Sequence, residues 1–101
     1  PKPMDQTRPN ERLHIRVTGR VQGVGFRAFV AHAAQNIGLT GWVRNVGYDQ
    51  VEALAEGQRA DLEEFALLVR TGPRASRVDE SHQEWLPASG EFGDFHVRSS
   101  R

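Results

Sequence analysis

The chain has 101 residues, a length that favours one domain with a single modest core. Its 13 Lys and Arg residues balance 13 Asp and Glu residues, which argues against the broad positive field of a general nucleic-acid or anionic-membrane binder. It has no cysteine, which excludes disulfides, thiolate nucleophiles and cysteine metal sites.

The first residues of the chain are mostly polar and include three prolines. We therefore expect residues 1–11 to form a flexible N-terminal lead and residues 12–101 to form the single domain. The lead has no apolar run of signal-peptide type, and no stretch approaches the roughly 20 apolar residues of a membrane span. Together with the lack of cysteine, these features predict a cytoplasmic protein that does not associate with membranes.

The first predicted elements are a strand, a glycine-rich turn and a helix. LHIRVT alternates apolar and polar side chains, which predicts a strand over residues 13–18 with one buried face. The strand leads into the turn GRVQGVG. Apolar residues then recur at helical spacing from Phe26 to Ile37 and end before Gly38, which predicts a helix over residues 26–37.

The middle of the chain predicts a hairpin and a second helix. TGWVRNV and QVEALAE indicate strands over residues 40–46 and 50–56, joined by a short loop. The second helical stripe consists of Leu62, Phe65, Ala66 and Val69, and Gly72 and Pro73 follow its end. The nearby carboxylates Glu56, Asp61, Glu63 and Glu64 are expected to form a solvated acidic face.

The last segments show weaker strand patterns, and they complete the predicted fold. RVDESHQEWL suits an edge strand, and EFGDFHVR would add a short closing strand through Phe95 and Val97. The order β-α-β-β-α-β predicts an α+β, ferredoxin-like sandwich. We expect an antiparallel sheet of four to five strands with both helices on one face.

The glycine-rich turn before the first helix is the main functional feature. Backbone N–H groups at a helix N-terminus favour an anion, and Gly23 and Gly25 can adopt the positive φ angles that let such groups converge. Arg27 adds a planar set of donors suited to phosphate or carboxylate. From these residues alone, a tight strand-to-helix connection with a solvated Arg27 is equally open. The turn lacks the Gly-Lys-Ser/Thr pattern of a nucleotide-binding loop.

Several motifs in order carry a resemblance to a known family. GRVQGVGFRAFV, GLTGWVRNV, VEALAEG and GP…ASRVD follow one another over about residues 12–98. In this order they resemble the acylphosphatase family, whose pattern is approximately G-x-V-Q-G-V-x-F-R, G-W-V-x-N and V-x-x-x-x-E-G. The hairpin loop departs from the family pattern. Relatives commonly have Asp-Gly after the asparagine, whereas this chain continues Val46-Gly47-Tyr48-Asp49-Gln50.

The resemblance implies hydrolysis of acyl phosphates to a carboxylate and inorganic phosphate on the ferredoxin-like fold. By this resemblance, Arg27 and Asn45 are the catalytic residues. The phosphate-binding backbone corresponds to the turn Gln22, Gly23, Val24, Gly25 and Phe26. Because an amide does not titrate near neutral pH, we expect Asn45 to orient water rather than act as a base. Without Arg27 beside it, Asn45 would more simply be a turn residue opening the hairpin.

The sequence also bears on cofactors, partners and alternative functions. His14, His32, His82 and His96 lack ligand spacing, so we expect no metal and no cofactor. Arg16, Arg20 and Arg44 either extend the positive potential of the site or are plain surface charges. We expect a small acyl phosphate as substrate, no nucleic acid and a monomer. Two alternatives stay open: an anion-binding domain of a larger carbamoyl-transfer protein, and an RNA-binding module with the same element order.

Overall fold

A computed structural model describes residues 11–101 of the chain. The elements are β1 (Glu11–Arg20), α1 (Phe26–Ile37), β2 (Thr40–Val46), β3 (Gln50–Gly57), α2 (Arg59–Thr71), β4 (Arg77–Pro87) and β5 (Phe95–Val97). The expected lead over residues 1–11 lies outside the described residues except for Glu11, which begins β1. The order of strands and helices is the predicted one, and the bounds predicted for α1 and β2 are confirmed.

The five strands form one sheet in the order β4-β1-β3-β2-β5. The four long strands are antiparallel, as predicted, and β4 is an edge strand. The short β5 corrects the expectation of a wholly antiparallel sheet, because it pairs in parallel with β2. The physical reason is the connection after β4, which crosses to the opposite edge and returns the chain in the direction of β2.

The core lies between the sheet and the two helices. Leu13, Ile15 and Val17 of β1 are completely buried, which confirms the one-sided strand predicted from LHIRVT. All four predicted stripe residues of α2 are buried, whereas α1 buries Phe26, Val30, Ala31 and Ala34. The apolar residues predicted to form the buried stripe of α1 also include Phe29, Ala33 and Ile37, which are only partly buried. Burial of Phe26, the first helical residue, fixes the start of α1 against the sheet.

Glu56 anchors the long connection between β4 and β5. Its side chain is completely buried, and its carboxylate accepts hydrogen bonds from Arg12 Nε at 2.7 Å and from the backbone N–H groups of Ser89 and Gly90 at 2.9 Å. Burial raises the pKa of Glu56, but these hydrogen bonds outweigh it and hold the pKa below the ordinary value. The expectation that Glu56 belongs to a solvated acidic face is therefore wrong.

Candidate active site

The turn between β1 and α1 forms a backbone cradle at one end of the sheet. Gly23 and Gly25 have φ angles of 74° and 75°, so both adopt the positive values expected from the sequence. Gly25 is the N-cap of α1, and no side chain caps the helix there. The first N–H groups of a helix have no intrahelical partner, and here they are available to an anion.

A cleft of about 320 Å³ opens at this cradle. It is lined by Val21, Gln22, Gly23, Gly25, Phe26, Arg27, Ala28, Asn45 and Val97. The two predicted catalytic residues and four of the five predicted binding residues thus lie together, although they come from different parts of the sequence. Val24 does not line the cleft, because its side chain packs against the core.

Three lining residues were not predicted from the sequence: Val21, Ala28 and Val97. Val21 lies within the motif GRVQGVGFRAFV and Ala28 directly follows Arg27 in it, so their place in the sequence was a usable signal. Val97 is different, because it reaches the cleft through the parallel pairing of β5 with Val43 in β2. No local pattern indicates that pairing, which depends on the crossing connection after β4.

Arg27 is a half-buried arginine that stays available to a ligand. Two other half-buried arginines, Arg12 and Arg44, are each paired with a glutamate at 2.7 Å. Within residues 11–101, no carboxylate forms an ion pair with the guanidinium of Arg27. A guanidinium held in a cleft without a countercharge favours binding of an anion from solution.

Asn45 provides an acceptor on the other side of the cleft. It pairs with Val51 of β3 and lies on the same sheet face as Val43, the face that the helices cover. Its Oδ1 atom is buried, and no donor among the described residues hydrogen-bonds to it. An unsatisfied buried acceptor costs about 1–3 kcal/mol, so its presence at a cleft is a functional signal.

Gln22 connects the cradle to the hairpin that follows Asn45. Its Nε2 group donates to the carbonyl oxygens of Gly47 and Gln50 at 3.0 Å each, and to that of Val46 at 3.3 Å. Gly47 has a φ angle of 59°, so the displaced glycine of this hairpin adopts a left-handed conformation. The side chain of Gln22 therefore binds the hairpin, while its backbone forms part of the cradle.

The arginines considered as possible sources of positive potential lie elsewhere. Arg16 and Arg20 are exposed, and Arg44 stacks on Trp42 with its Cζ 4.7 Å from the ring centroid. Arg44 also pairs with Glu52, which accepts from His14 Nε2 at 2.6 Å. Burial raises the pKa of Glu52, but hydrogen bonds from His14 and Arg44 outweigh it and hold the pKa low. Arg44 is thus compensated locally and adds little to the cleft.

Other kinds of site are absent from the part of the chain that the structure describes. No three His, Cys, Asp or Glu side chains in that part are grouped so as to hold a metal ion. Neither helix of residues 11–101 has the length and apolar character needed to cross a membrane. The expectation of a metal-free mechanism stays a prediction.

The fold and the cleft define a class of protein: an α+β sandwich with a backbone anion cradle at one end of the sheet. Beside the cradle lie an arginine without an ion pair in the described part of the chain and a buried amide acceptor. Comparison with known sequences gives the family. The acylphosphatase family model matches residues 13–97, so the chain belongs to the acylphosphatase family. The acylphosphatase of Koribacter versatilis (strain Ellin345) is 54% identical over 94 residues, covering 93% of this chain and 86% of that protein.

Solved structures agree with this assignment. The crystal structure of acylphosphatase from Bacillus subtilis superposes with a TM-score of 0.83 at 36% identity, covering 87% of this chain and 98% of that one. Full-length HypF, solved in a phosphate- and nucleotide-bound form, superposes with a TM-score of 0.81 at 32% identity. That match covers 90% of this chain but 12% of HypF. The predicted family resemblance is confirmed, and so is the predicted ferredoxin-like α+β fold, apart from the parallel strand β5.

Proposed function

We propose that the protein is an acylphosphatase that hydrolyses acyl phosphates to a carboxylate and inorganic phosphate by direct attack of water. The observation that carries the mechanism is the buried Oδ1 of Asn45, which has no donor among the described residues although it lines the same cleft as Arg27. A water molecule can donate to this oxygen and be held beside a phosphoryl group in the cradle. Family membership supports the same activity.

The phosphoryl group binds to the cradle and to Arg27. Backbone N–H groups from residues 22–26 and the guanidinium surround its oxygens and balance their charge as the transition state forms. Fixed donors of this kind need little reorganisation during the reaction, which makes them effective in a partly buried site. Arg27 is therefore a catalytic residue, and the turn provides the binding site for phosphate.

Asn45 positions the water. Its carboxamide does not ionise near neutral pH, so it cannot serve as a general base. It accepts a hydrogen bond from the water and directs a lone pair toward phosphorus, while a phosphate oxygen takes the proton. The departing carboxylate belongs to an acid of pKa about 4, so no general acid is needed to protonate it.

The proposal extends to the oligomeric state, the location, the cofactors and the substrate of the enzyme. We propose a monomeric cytoplasmic enzyme that uses no metal or cofactor and acts on small acyl phosphates without nucleic acid or membrane. The cleft has apolar positions at Val21, Ala28 and Val97, which suit the organic part of the substrate. The balanced net charge fits a small-molecule ligand.

The two rival functions are less favoured. For the RNA-binding module, the aromatic residues of GVGFRAFV would have to lie exposed on the sheet, but Phe26 is buried and both Phe26 and Phe29 belong to α1. A non-catalytic anion-binding domain would not require the free Oδ1 of Asn45 beside Arg27. That second rival predicts phosphate binding without turnover, which a direct assay distinguishes.

The test is hydrolysis of benzoyl phosphate in the presence of excess chelator, with phosphate as a competitive inhibitor. We expect equal release of benzoate and phosphate, unchanged by chelation. Phosphate binding to folded protein without any hydrolysis would contradict the proposed function and favour the non-catalytic anion-binding domain.

A further inference from the structure

The side chain of Gln22 makes contacts that the proposed mechanism does not use. Its Nε2 group faces three carbonyl oxygens, those of Val46, Gly47 and Gln50, at 3.0 to 3.3 Å. The opposite orientation of the carboxamide would place its oxygen against these three acceptors, so the nitrogen must face them. An NH₂ group has two hydrogens, and both are occupied by this set of acceptors. The Gln22 amide therefore has no donor left for a substrate oxygen.

All three acceptors lie at the hairpin turn that follows Asn45: Val46 ends β2, Gly47 is in the turn, and Gln50 begins β3. The same turn is bound to the end of β1 by a second contact, in which Gly19 N donates to Asp49 O at 2.9 Å. On its other side, Arg101 N donates to Asn45 O at 2.9 Å. The backbone at Asn45 is thus held between the cradle and the C-terminal segment, and Gln22 is the side chain that forms the cradle contact.

We propose that Gln22 is a positioning residue, which fixes the distance between the phosphate cradle and the carboxamide of Asn45. This inference rests on the proposed function and extends it. The cradle and Asn45 come from separate elements, and β3 lies between β1 and β2 in the sheet. The side chain of Gln22 spans this gap directly at the end where the cleft opens. It keeps the carboxamide of Asn45 where the water bound to it is in line with phosphorus. A displacement of about 1 Å is enough to cost about 100-fold in rate.

Two variants separate positioning from binding. Gln22→Met keeps the length of the side chain but removes both donors, and Gln22→Glu presents a carboxylate to three carbonyl oxygens. We expect kcat to fall about 10- to 100-fold in Gln22→Met at neutral pH. The dissociation constant for inorganic phosphate should change less than about threefold, because the cradle N–H groups and Arg27 remain.

The pH profile gives a signature that general destabilisation does not. The carboxylate of Gln22→Glu is repelled by the carbonyl oxygens, whereas its protonated form again carries a donor. We therefore expect the kcat of Gln22→Glu, relative to wild type at each pH, to rise as the pH falls. The relative kcat of Gln22→Met should stay flat over the same range.

Amide hydrogen exchange over residues 46–50 gives a readout that does not depend on activity. We expect faster exchange there in Gln22→Met, with exchange in the rest of the domain unchanged, and no effect in the control Gln83→Met at an exposed position of β4. Wild-type kcat in both Gln22 variants, or weaker phosphate binding at unchanged kcat, would overturn the proposal. If wild type does not hydrolyse benzoyl phosphate, the proposed function fails, whereas unchanged exchange at residues 46–50 refutes the Gln22 contact by itself.

Discussion

Two side chains at the cleft differ from comparable residues elsewhere in the molecule. Arg27 is half-buried without an ion pair among residues 11–101, whereas Arg12 and Arg44 are matched by Glu56 and Glu52. Asn45 leaves Oδ1 buried and unpaired within the described chain. Buried polar groups in proteins normally have a hydrogen-bond partner. An unpaired donor and an unpaired acceptor in one cleft therefore indicate a ligand that binds both.

Replacing Arg27 tests the charge that the cleft supplies. We expect Arg27→Ala to lower kcat/KM for benzoyl phosphate at least 100-fold and to weaken competitive inhibition by phosphate, because the transition state loses its bidentate donor. Arg27→Lys should recover little, since an ammonium group lacks the planar fork. Arg74→Ala, at an exposed position between α2 and β4, is the matched control. Equal phosphate inhibition in Arg27→Ala and wild type would be inconsistent with this role.

Replacing Asn45 tests how water is held. Asn45→Ala removes the acceptor, so we expect kcat to fall about 100- to 1,000-fold while phosphate inhibition changes little. Asn45→Asp keeps an acceptor but adds negative charge beside the phosphoryl group, so it should weaken phosphate binding. Steady-state kinetics across pH measure both effects. A turnover in Asn45→Asp that exceeds wild type and shows a new pH limb would refute the water-orienting role.

Among the elements, α1 combines a buried anchor with an uncapped start. Phe26 is 2% exposed at the first helical position, and Gly25 before it adopts a left-handed conformation without a side-chain cap. Typical helices begin with Ser, Thr, Asp or Asn, whose side chains satisfy the first N–H groups. Here those groups are left for a ligand, and glycine permits the backbone that directs them into the cleft.

Substitution of Gly25 measures this arrangement. A Cβ at Gly25 meets no atom within 4 Å, so the strain comes from the φ angle of 75° rather than from a clash. We expect Gly25→Ala to lower the free energy of unfolding by about 1–2 kcal/mol and to weaken phosphate binding. Gly93→Ala is the control, since Gly93 also has open space but no positive φ. Equal effects of the two substitutions, measured by denaturation and phosphate titration, would count against a special backbone at Gly25.

The sequence was informative wherever a local pattern determines the structure. The period-2 alternation of β1 and the apolar stripe of α2 describe their buried faces, and the glycine-rich motif located the cradle with Arg27. Two features that depend on distant parts of the chain were missed. The parallel pairing of β5, which brings Val97 to the cleft, follows from a connection that crosses the sheet. The burial of Glu56 depends on Ser89 and Gly90, more than 30 residues away.

For the molecule as a whole, Glu56 joins the centre of the sheet to the connection that carries β5. Its carboxylate accepts hydrogen bonds from Arg12 in β1 and from residues 89 and 90. Removing one partner of a buried network leaves the remaining donors unsatisfied, which is more costly than the network's net contribution. The position of β5, and with it one wall of the cleft, therefore depends on a buried ion pair remote from the catalytic residues.

This contact makes stability depend on pH. The pKa of Glu56 is lowered in the folded state from an ordinary value of 4.5, so its contribution is fully present above about pH 4.5 and is lost as pH falls through the lowered value. We expect Glu56→Gln to lower the free energy of unfolding by about 1–3 kcal/mol at pH 7. The difference from wild type should shrink under acid, as urea denaturation at several pH values would reveal.

Glu64→Gln is the matched control for this experiment, because Glu64 is an exposed residue of α2. It should leave stability within about 0.5 kcal/mol of wild type at pH 7. A constant difference between Glu56→Gln and wild type from neutral to acid pH would show that the charge of Glu56 does not stabilise the fold.

The most direct test of the central claim is to follow the oxygen atom of the attacking water. Benzoyl phosphate is hydrolysed in ¹⁸O-labelled water by excess wild-type enzyme, with Arg27→Ala measured in parallel to subtract background, and both products are examined by mass spectrometry. If water held by Asn45 attacks phosphorus in the cradle, the enzyme-dependent product carries one ¹⁸O in phosphate and none in benzoate. Label in benzoate would mean attack at the carbonyl carbon and would contradict the assigned site.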